Sequence, residues 1–474
     1  MILDTSLIIA ITLGVLMLLL AMEVPVAFSL AGSGAVGLVL LHSFGYATNV
    51  LGSVPFTATA TFSLTMIPMF ILMGTLAVKA GIAEQVFAIA NRVFRRLPGG
   101  LGCATVMACA GFAAVSGSSV ATAATMSKMA VGEMRKYGYP AHFATGIVAV
   151  AGTLGVMIPP SIMLVLYAVL SGESPAQVLA AGIIPGLLSA AAYILYIMTV
   201  ARRVIVPVGE RSLETVTAHA AVNAKVPAGS VSLAEADAPA RPVERDITQV
   251  PLRKLPWRGL VNVGILFLIV MGGLYSGIVT PTESAALGAI AALLMMLIEL
   301  RRTGLRALWR TVADALKEAA TSTTSVFAIV VGSMVLSTFF VASRVPQELA
   351  TWVGTLDVPG WVIVAILLLI LIPMGMALES ISILVIAVPL MHPIVTGLGF
   401  DGVWFAILVV KLIEVGLVTP PVGVSCFVVS GTTGVPAQTV FRGILPLVLV
   451  ELAVVVVLFL FPDLVLFLPS LVAN

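Results

Sequence analysis

The stretch Gly152-Thr153-Leu154-Gly155-Val156-Met157-Ile158-Pro159-Pro160-Ser161 decides the fold, because a close echo of it returns late in the chain as Gly416-Leu417-Val418-Thr419-Pro420-Pro421-Val422-Gly423. Both stretches lie inside long apolar runs. Paired prolines remove two backbone donors and disfavour helix at the first proline. The chain unwinds there, and irregular backbone at membrane depth is tolerated only when buried in protein or lining a polar cavity. A plain proline kink packed by its neighbours is the simpler reading of one such site. Two copies point instead to a break that is used.

Working outward, Gly152–Pro185 aligns without a gap on Ile413–Pro446 at an offset of 261, with nine identities in 34 positions. Gly155 falls on Gly416, Pro159-Pro160 on Pro420-Pro421, Pro175-Ala176-Gln177 on Pro436-Ala437-Gln438, Gly182-Ile183 on Gly443-Ile444 and Pro185 on Pro446. Near the start, Pro25 and Gly32 match Pro281 and Gly288 at an offset of 256. The chain therefore reads as two repeats. With an odd number of crossings in each, the copies are opposite in orientation, as in secondary transporters with interrupted helices.

Composition sets the solvent. Of 474 residues 60% are hydrophobic and 10% charged, and the mean hydropathy is +1.16. Soluble domains carry about 25% charged residues, so a soluble enzyme, a disulfide scaffold and a disordered chain are excluded. Continuous rather than alternating apolar runs exclude a β-barrel. The net charge of +2 gives no reason to invoke nucleic acid. Cys103, Cys109 and Cys426 lie in apolar sequence without histidine neighbours and read as small buried hydrophobes, so no transition-metal site is expected.

Spans of about 20 apolar residues are expected near 3–22, 24–42, 56–78, 141–170 and 179–201, and near 258–278, 283–300, 320–342, 402–430 and 440–468. The expected fold is an all-α polytopic membrane protein. Its parts are a first repeat over 1–206, a linker over 207–256 and a second repeat over 257–474. The Ala- and Pro-rich linker lacks a spanning run and reads as disordered and cytoplasmic. The first run has no basic stretch before it, so it is expected to be a transmembrane helix rather than a cleaved signal. Two stretches, 100–127 and 361–396, are broken by Gly, Ser and Pro and read as re-entrant hairpins. With that topology 22 of the 24 basic residues fall on one side, which places both termini outside and the linker inside.

The hairpin tips carry the chemistry. Ser116-Gly117-Ser118-Ser119, followed by Thr122, suits a turn: glycine permits it and hydroxyls satisfy open backbone. Small-residue helix packing is the bland alternative. Glu379, after Gly375 and before Ser380, is an intramembrane carboxylate and so a candidate functional group, or else a structural hydrogen-bonding group at the tip. Unwound carbonyls with Ser and Thr hydroxyls are hard oxygen ligands suited to a small cation. Lys411 and Glu414, three apart on one helix, are placed to pair with each other. Glu283 is explained by helix capping with Thr280 or Thr282. His142 and His392 read as interfacial. Ser116 lies in no nucleophile motif, so an enzyme is not expected.

Taken together, the chain resembles the large membrane subunit of the tripartite ATP-independent periplasmic (TRAP) transporters. The resemblance rests on Ile67-Pro68, Ser116-Gly117-Ser118-Ser119, Gly138-Tyr139, the 152–161 stretch, Ala181-Gly182, Pro185-Gly186, Thr280-Pro281-Thr282-Glu283, Gly375 with Glu379, and the 414–423 stretch. It implies an elevator-type importer, coupled to two or more Na+ ions, that takes up organic acids such as C4-dicarboxylates or sugar acids in the bacterial inner membrane. It also implies a soluble periplasmic binding protein and a small four-helix membrane subunit, the latter expected as a separate chain. By position it carries sodium binding onto Ser116, Gly117, Ser118, Ser119, Gly152, Thr153 and Gly155, and onto Gly375, Glu379, Ser380, Gly416 and Thr419. The helix breaks are Pro159, Pro160, Pro420 and Pro421, with Ser161, Thr122 and Gly423 near the substrate. A stand-alone anion symporter or antiporter of the same architecture is the alternative, and an intramembrane serine enzyme a remote one.

Overall fold

In a computed structural model, residues 4–94, 96–205, 257–301, 304–345, 348, 351, 355, 358–421 and 423–472 are described. The linker expected over 207–256 lies outside them. The described residues form helices and no strands, as backbone in lipid must, since only intrahelical bonds or a closed barrel satisfy its polar groups. Among the described residues seven helices are long and apolar enough to cross a membrane, or eight counting one bent pair. Leucines and isoleucines at 287, 290, 294 and 298 form an exposed stripe on Pro281–Leu300, and 445, 449 and 460 carry exposed leucines on Ala437–Leu460. These outward apolar faces are what a lipid solvent permits. The protein is a multi-pass membrane protein.

Each half holds a helical hairpin followed by a broken helix. Over 100–127 the chain forms Gly100–Ser116 and Ser119–Met126, joined at Gly117 in the left-handed conformation (φ 61°). After it come Ala141–Gly152, Leu154–Met157 and Ile162–Ser171, the pair across Pro159-Pro160 bent by 44°. In the second half Gly360–Ala377 and Ser380–Gly397 meet at Leu378-Glu379, and Gly402–Val418 and Val424–Thr433 flank Pro420-Pro421. The X-Pro bonds inside both proline pairs are cis. Gly402–Val418 starts where it does because Asp401 caps it, accepting from Val403 N at 2.8 Å and Trp404 N at 2.9 Å.

Three boundaries differ from the sequence reading. The span expected at 56–78 is Phe62–Lys79, preceded by a separate helix, Phe44–Thr59. The span expected at 320–342 is the second part of a 38-residue helix, Leu305–Ala342, whose charged first part still has helical residues. The last span ends at Leu460, and Asp463–Val472 is a helix of its own after Pro462.

The halves are stitched crosswise. Val26–Leu41 packs on Leu305–Ala342, and Met66–Lys79 packs on Pro281–Leu300. Small residues allow the approach: a Cβ on Gly332 would lie 2.2 Å from the Ala27 carbonyl oxygen, and one on Gly34 would lie 2.8 Å from Leu336 Cα. The Thr280 cap of Pro281–Leu300 is a reciprocal box, with Glu283 N donating to Thr280 Oγ1 at 3.3 Å and Thr280 N donating to Glu283 Oε2 at 2.8 Å.

Candidate functional site

The two hairpin tips meet at one carboxylate. Ser119 Oγ, from the first hairpin, donates to Glu414 Oε1 at 3.3 Å, and Ser380 Oγ, from the second, donates to the same oxygen at 3.2 Å. Glu414 sits on the last turns of Gly402–Val418, just before the second break, and is 4% exposed. Its other oxygen, Oε2, is sealed from solvent and has no hydrogen-bond partner. A buried carboxylate is costly unless its charge is met, so this residue is the electrostatic centre of the site.

Each tip is seated against a broken helix by a glycine. A Cβ on Gly155 would lie 2.5 Å from the Ser118 carbonyl oxygen. Gly375 and Gly416 face each other, with a Cβ on either falling within 2.7 Å of the other's Cα. Gly152 packs on Ala123. Within the first tip, Ser116 and Thr122 share a hydroxyl hydrogen bond of 2.8 Å, and Thr122 Oγ1 also bonds the Ser118 carbonyl at 2.8 Å. Ser116 thus pairs with a hydroxyl rather than with a base. Ser118 caps Ser119–Met126 through Ala121 N at 3.4 Å.

The remaining expected residues are placed as follows. Glu379 occupies the N-cap position of Ser380–Gly397, and its side chain is exposed while its neighbour Ser380 reaches Glu414. Thr419 Oγ1 bonds the Val415 carbonyl, and Ser161 Oγ bonds the Val156 carbonyl and caps Leu164 N. Thr122 and Ser161 are fully buried, and Gly423 lies against Phe441. Thr153 lines a small cavity shared with Glu414, Tyr193 and Glu451.

The expected pairing of Lys411 with Glu414 is not formed. Lys411 Nζ bonds Glu451 Oε1 and Ser189 Oγ instead. Glu451 also accepts from Ser189 Oγ at 3.2 Å and Tyr193 OH at 2.7 Å. The reason is energetic. An i,i+3 pair on a helix surface contributes about 0.2–0.5 kcal/mol, whereas a buried ammonium and a buried carboxylate each take the partner that desolvation demands. Glu451, Ser189 and Tyr193 were not among the expected functional residues, although a lone carboxylate in the valine-rich run 447–460 carries the same signal as Glu379.

A second polar cluster ties the outer ends of these elements. Tyr167 OH donates to the Gly402 carbonyl at 3.1 Å and lies 3.0 Å from His392 Nδ1, while His392 Nε2 is 3.6 Å from Glu173 Oε1. In the loop before Pro175, partial burial and then the Asp401 charge hold the Glu173 carboxyl above its ordinary value.

Residues 13–464 match the family model described as "Tripartite ATP-independent periplasmic transporter, DctM component". The chain is 33% identical over 415 residues to the C4-dicarboxylate TRAP transporter large permease protein DctM of Pseudomonas aeruginosa, covering 88% of each chain. It is 29% identical over 459 residues to the sialic acid TRAP transporter large permease protein SiaM of Vibrio cholerae, covering 96% of each. The crystal structure of the Alcanivorax borkumensis YdaH transporter shares the fold, with a TM-score of 0.59 at 15% identity over 88% of this chain and 89% of that one. The chain belongs to the DctM family, the large permease subunits of TRAP transporters.

Proposed function

We propose that this chain imports organic acids by Na+-coupled secondary transport through an elevator mechanism. The observation that carries this reading is Glu414 holding Ser119 and Ser380, so that both hairpin tips close on one buried negative charge. The donors gathered there are hard oxygens: two serine hydroxyls, a carboxylate and the backbone carbonyls of the tips. Such a set suits an alkali cation. Two or more Na+ ions would be cargo held near Ser116–Ser119 with Gly152, Thr153 and Gly155, and near Gly375, Glu379 and Ser380 with Gly416 and Thr419. Ser161, Thr122 and Gly423 would face the substrate. A cation at the tips takes over the role of meeting the Glu414 charge, which links ion binding to tip position.

The hairpins and broken helices would form the moving part, built from two inverted repeats. The crosswise seam of Val26–Leu41, Met66–Lys79, Pro281–Leu300 and Leu305–Ala342 would form the stationary scaffold. The relatives named for C4-dicarboxylates and sialic acid are both named for carboxylates, which supports that substrate class. We place the chain in the bacterial inner membrane with its termini periplasmic and the 207–256 linker cytoplasmic. It would work with a small four-helix membrane subunit on a separate chain and a periplasmic binding protein, and without enzymatic activity.

The test is uptake of a labelled C4-dicarboxylate or sialic acid into proteoliposomes containing the three components. Accumulation is expected only with an inward Na+ gradient. Undiminished uptake in sodium-free buffer that follows a proton gradient overturns the coupling. Equal uptake without the binding protein overturns the tripartite part and favours a stand-alone symporter.

A further inference from the structure

The cluster that joins Tyr167, Glu173, His392 and Gly402 is one proton short of complete. Tyr167 OH has a single proton and gives it to the Gly402 carbonyl at 3.1 Å, since a carbonyl can only accept. Toward His392 Nδ1, 3.0 Å away, the same hydroxyl must therefore accept, so Nδ1 carries the hydrogen of the ring. In a neutral imidazole the other nitrogen is then bare. Yet Nε2 faces Glu173 Oε1 across 3.6 Å. Two lone-pair atoms meet there, and one proton added to either makes the contact attractive. We infer that His392 and Glu173 form a binding site for one proton, and that this proton latches the second hairpin to the first repeat.

The placement of the pair supports a latch. Glu173 lies in the short loop between Ile162–Ser171 and Pro175–Val204, and His392 lies on Ser380–Gly397, the second arm of the hairpin. Gly402 lets them meet, because a Cβ there would run into Glu173 Oε1 and His392 Cε1. Tyr167 is fully buried, so its hydroxyl holds the ring in one orientation. The surrounding charge favours the proton. Burial and then the Asp401 charge hold the Glu173 carboxyl above its ordinary value. Among the described residues no lysine or arginine pairs with Glu173 or Asp401. Of the helices packed on Ser380–Gly397, Ile162–Ser171 brings Tyr167 alone and Gly360–Ala377 brings no ionisable residue. Gly402–Val418 brings Lys411 and Glu414, about 14 Å or more along the helix from Gly402 and bonded elsewhere. Leu305–Ala342 brings Arg306, Arg310, Asp314, Lys317 and Glu318, none of which bonds His392. The latch is closed with the proton bound and is released as pH rises through a value above the ordinary carboxylate range. It holds whether or not Na+ drives transport, and so goes beyond the function proposed above.

The experiment is hydrogen–deuterium exchange on the purified full-length protein in detergent, corrected for the intrinsic rate at each pH. It runs from about pH 5 to about pH 9, where imidazole and raised carboxyl groups titrate. Peptides covering 168–174 and 388–404 report the latch. In the unaltered protein their exchange should slow by about tenfold or more on acidification, as one charge-assisted hydrogen bond accounts for. Glu173→Gln offers an amide proton to the bare Nε2, so both peptides should stay protected at every pH. His392→Phe removes the seat of the proton, so both should exchange fast at every pH. Tyr167→Phe frees the ring to carry its own hydrogen on Nε2, so protection should persist at alkaline pH. Absence of a pH transition in the unaltered protein overturns the site. So does a transition that survives unchanged in any of the three variants. Glu173→Gln keeps the shape of the side chain, so it supplies the decision should a change at 392 or 167 fail to fold. Exchange is read without transport, so loss of sodium coupling in the uptake assay leaves this result standing, and the reverse also holds.

Discussion

Replacing Lys411 by Met tests the buried ion pair. Lys411 and Glu451 expose 3% and 8% of their side chains, and each lies on a different helix of the site. Removing one partner of a buried pair costs about 3–5 kcal/mol, because the other charge stays buried and unmatched. The two single changes are not equivalent. After Lys411→Met the Glu451 carboxylate keeps donors from Ser189 at 3.2 Å and Tyr193 at 2.7 Å. Hydrogen bonds to a charge contribute about 1.5–3 kcal/mol each, so this variant falls at the low end. After Glu451→Met the ammonium keeps only the Ser189 hydroxyl, so this variant falls at the high end. The double variant leaves no buried charge in the pair. Its main loss is the Tyr193 hydroxyl without an acceptor, about 1–3 kcal/mol. It is therefore expected to be more stable than either single variant. Equilibrium unfolding in mixed micelles measures all four proteins, with the melting temperature as a second readout. Losses that simply add would refute the reasoning, as would Lys411→Met costing more than Glu451→Met.

Other expectations follow from the same geometry. Ser119→Ala and Ser380→Ala each remove one donor to the Glu414 charge, worth about 1.5–3 kcal/mol, and should each change the apparent Na+ affinity of uptake by about tenfold or more; unchanged affinity in both would detach the tips from ion binding. Gly443→Ala places a Cβ 1.7 Å from the His142 carbonyl oxygen and should cost about 1–3 kcal/mol in unfolding, whereas Gly431→Ala, with nothing within 4 Å, should be neutral or stabilising by up to about 1 kcal/mol. Glu173 is a carboxyl whose value is raised in the fold by burial and Asp401, so the folded protein holds its proton longer than the unfolded chain does. Its contribution to stability is present below the ordinary carboxylate value and is lost as pH rises through the raised one. Glu173→Gln should flatten that part of the melting-temperature profile against pH; an unaltered slope would assign it to other groups.

Much of the helical frame could be read from local chemistry. Glycine, proline and serine act within a residue or two of where they stand, so the turn at Gly117-Ser118 and the bend at Pro159-Pro160 are visible in the letters. The helix Phe44–Thr59 was not, because Tyr46, Thr48, Asn49, Ser53 and Pro55 interrupt its apolar pattern, and packing on Leu305–Ala342 supplies what propensity lacks. The site was legible only at its rims. Ser119 and Ser380 mark the tips, but that they share an acceptor depends on residues 295 and 34 positions away. Lys411 and Glu414 are neighbours on one helix, and their spacing suggests a pair. Their true partners come from other helices, and no spacing rule reports that.

Because Ser119 and Ser380 donate to a single oxygen, the two hairpins work like two keys in one lock. Withdrawing either tip strips a donor from a charge that water cannot reach, so neither can leave at low cost while the other stays. The hairpins come from segments more than two hundred residues apart, yet one oxygen atom makes them answer to each other.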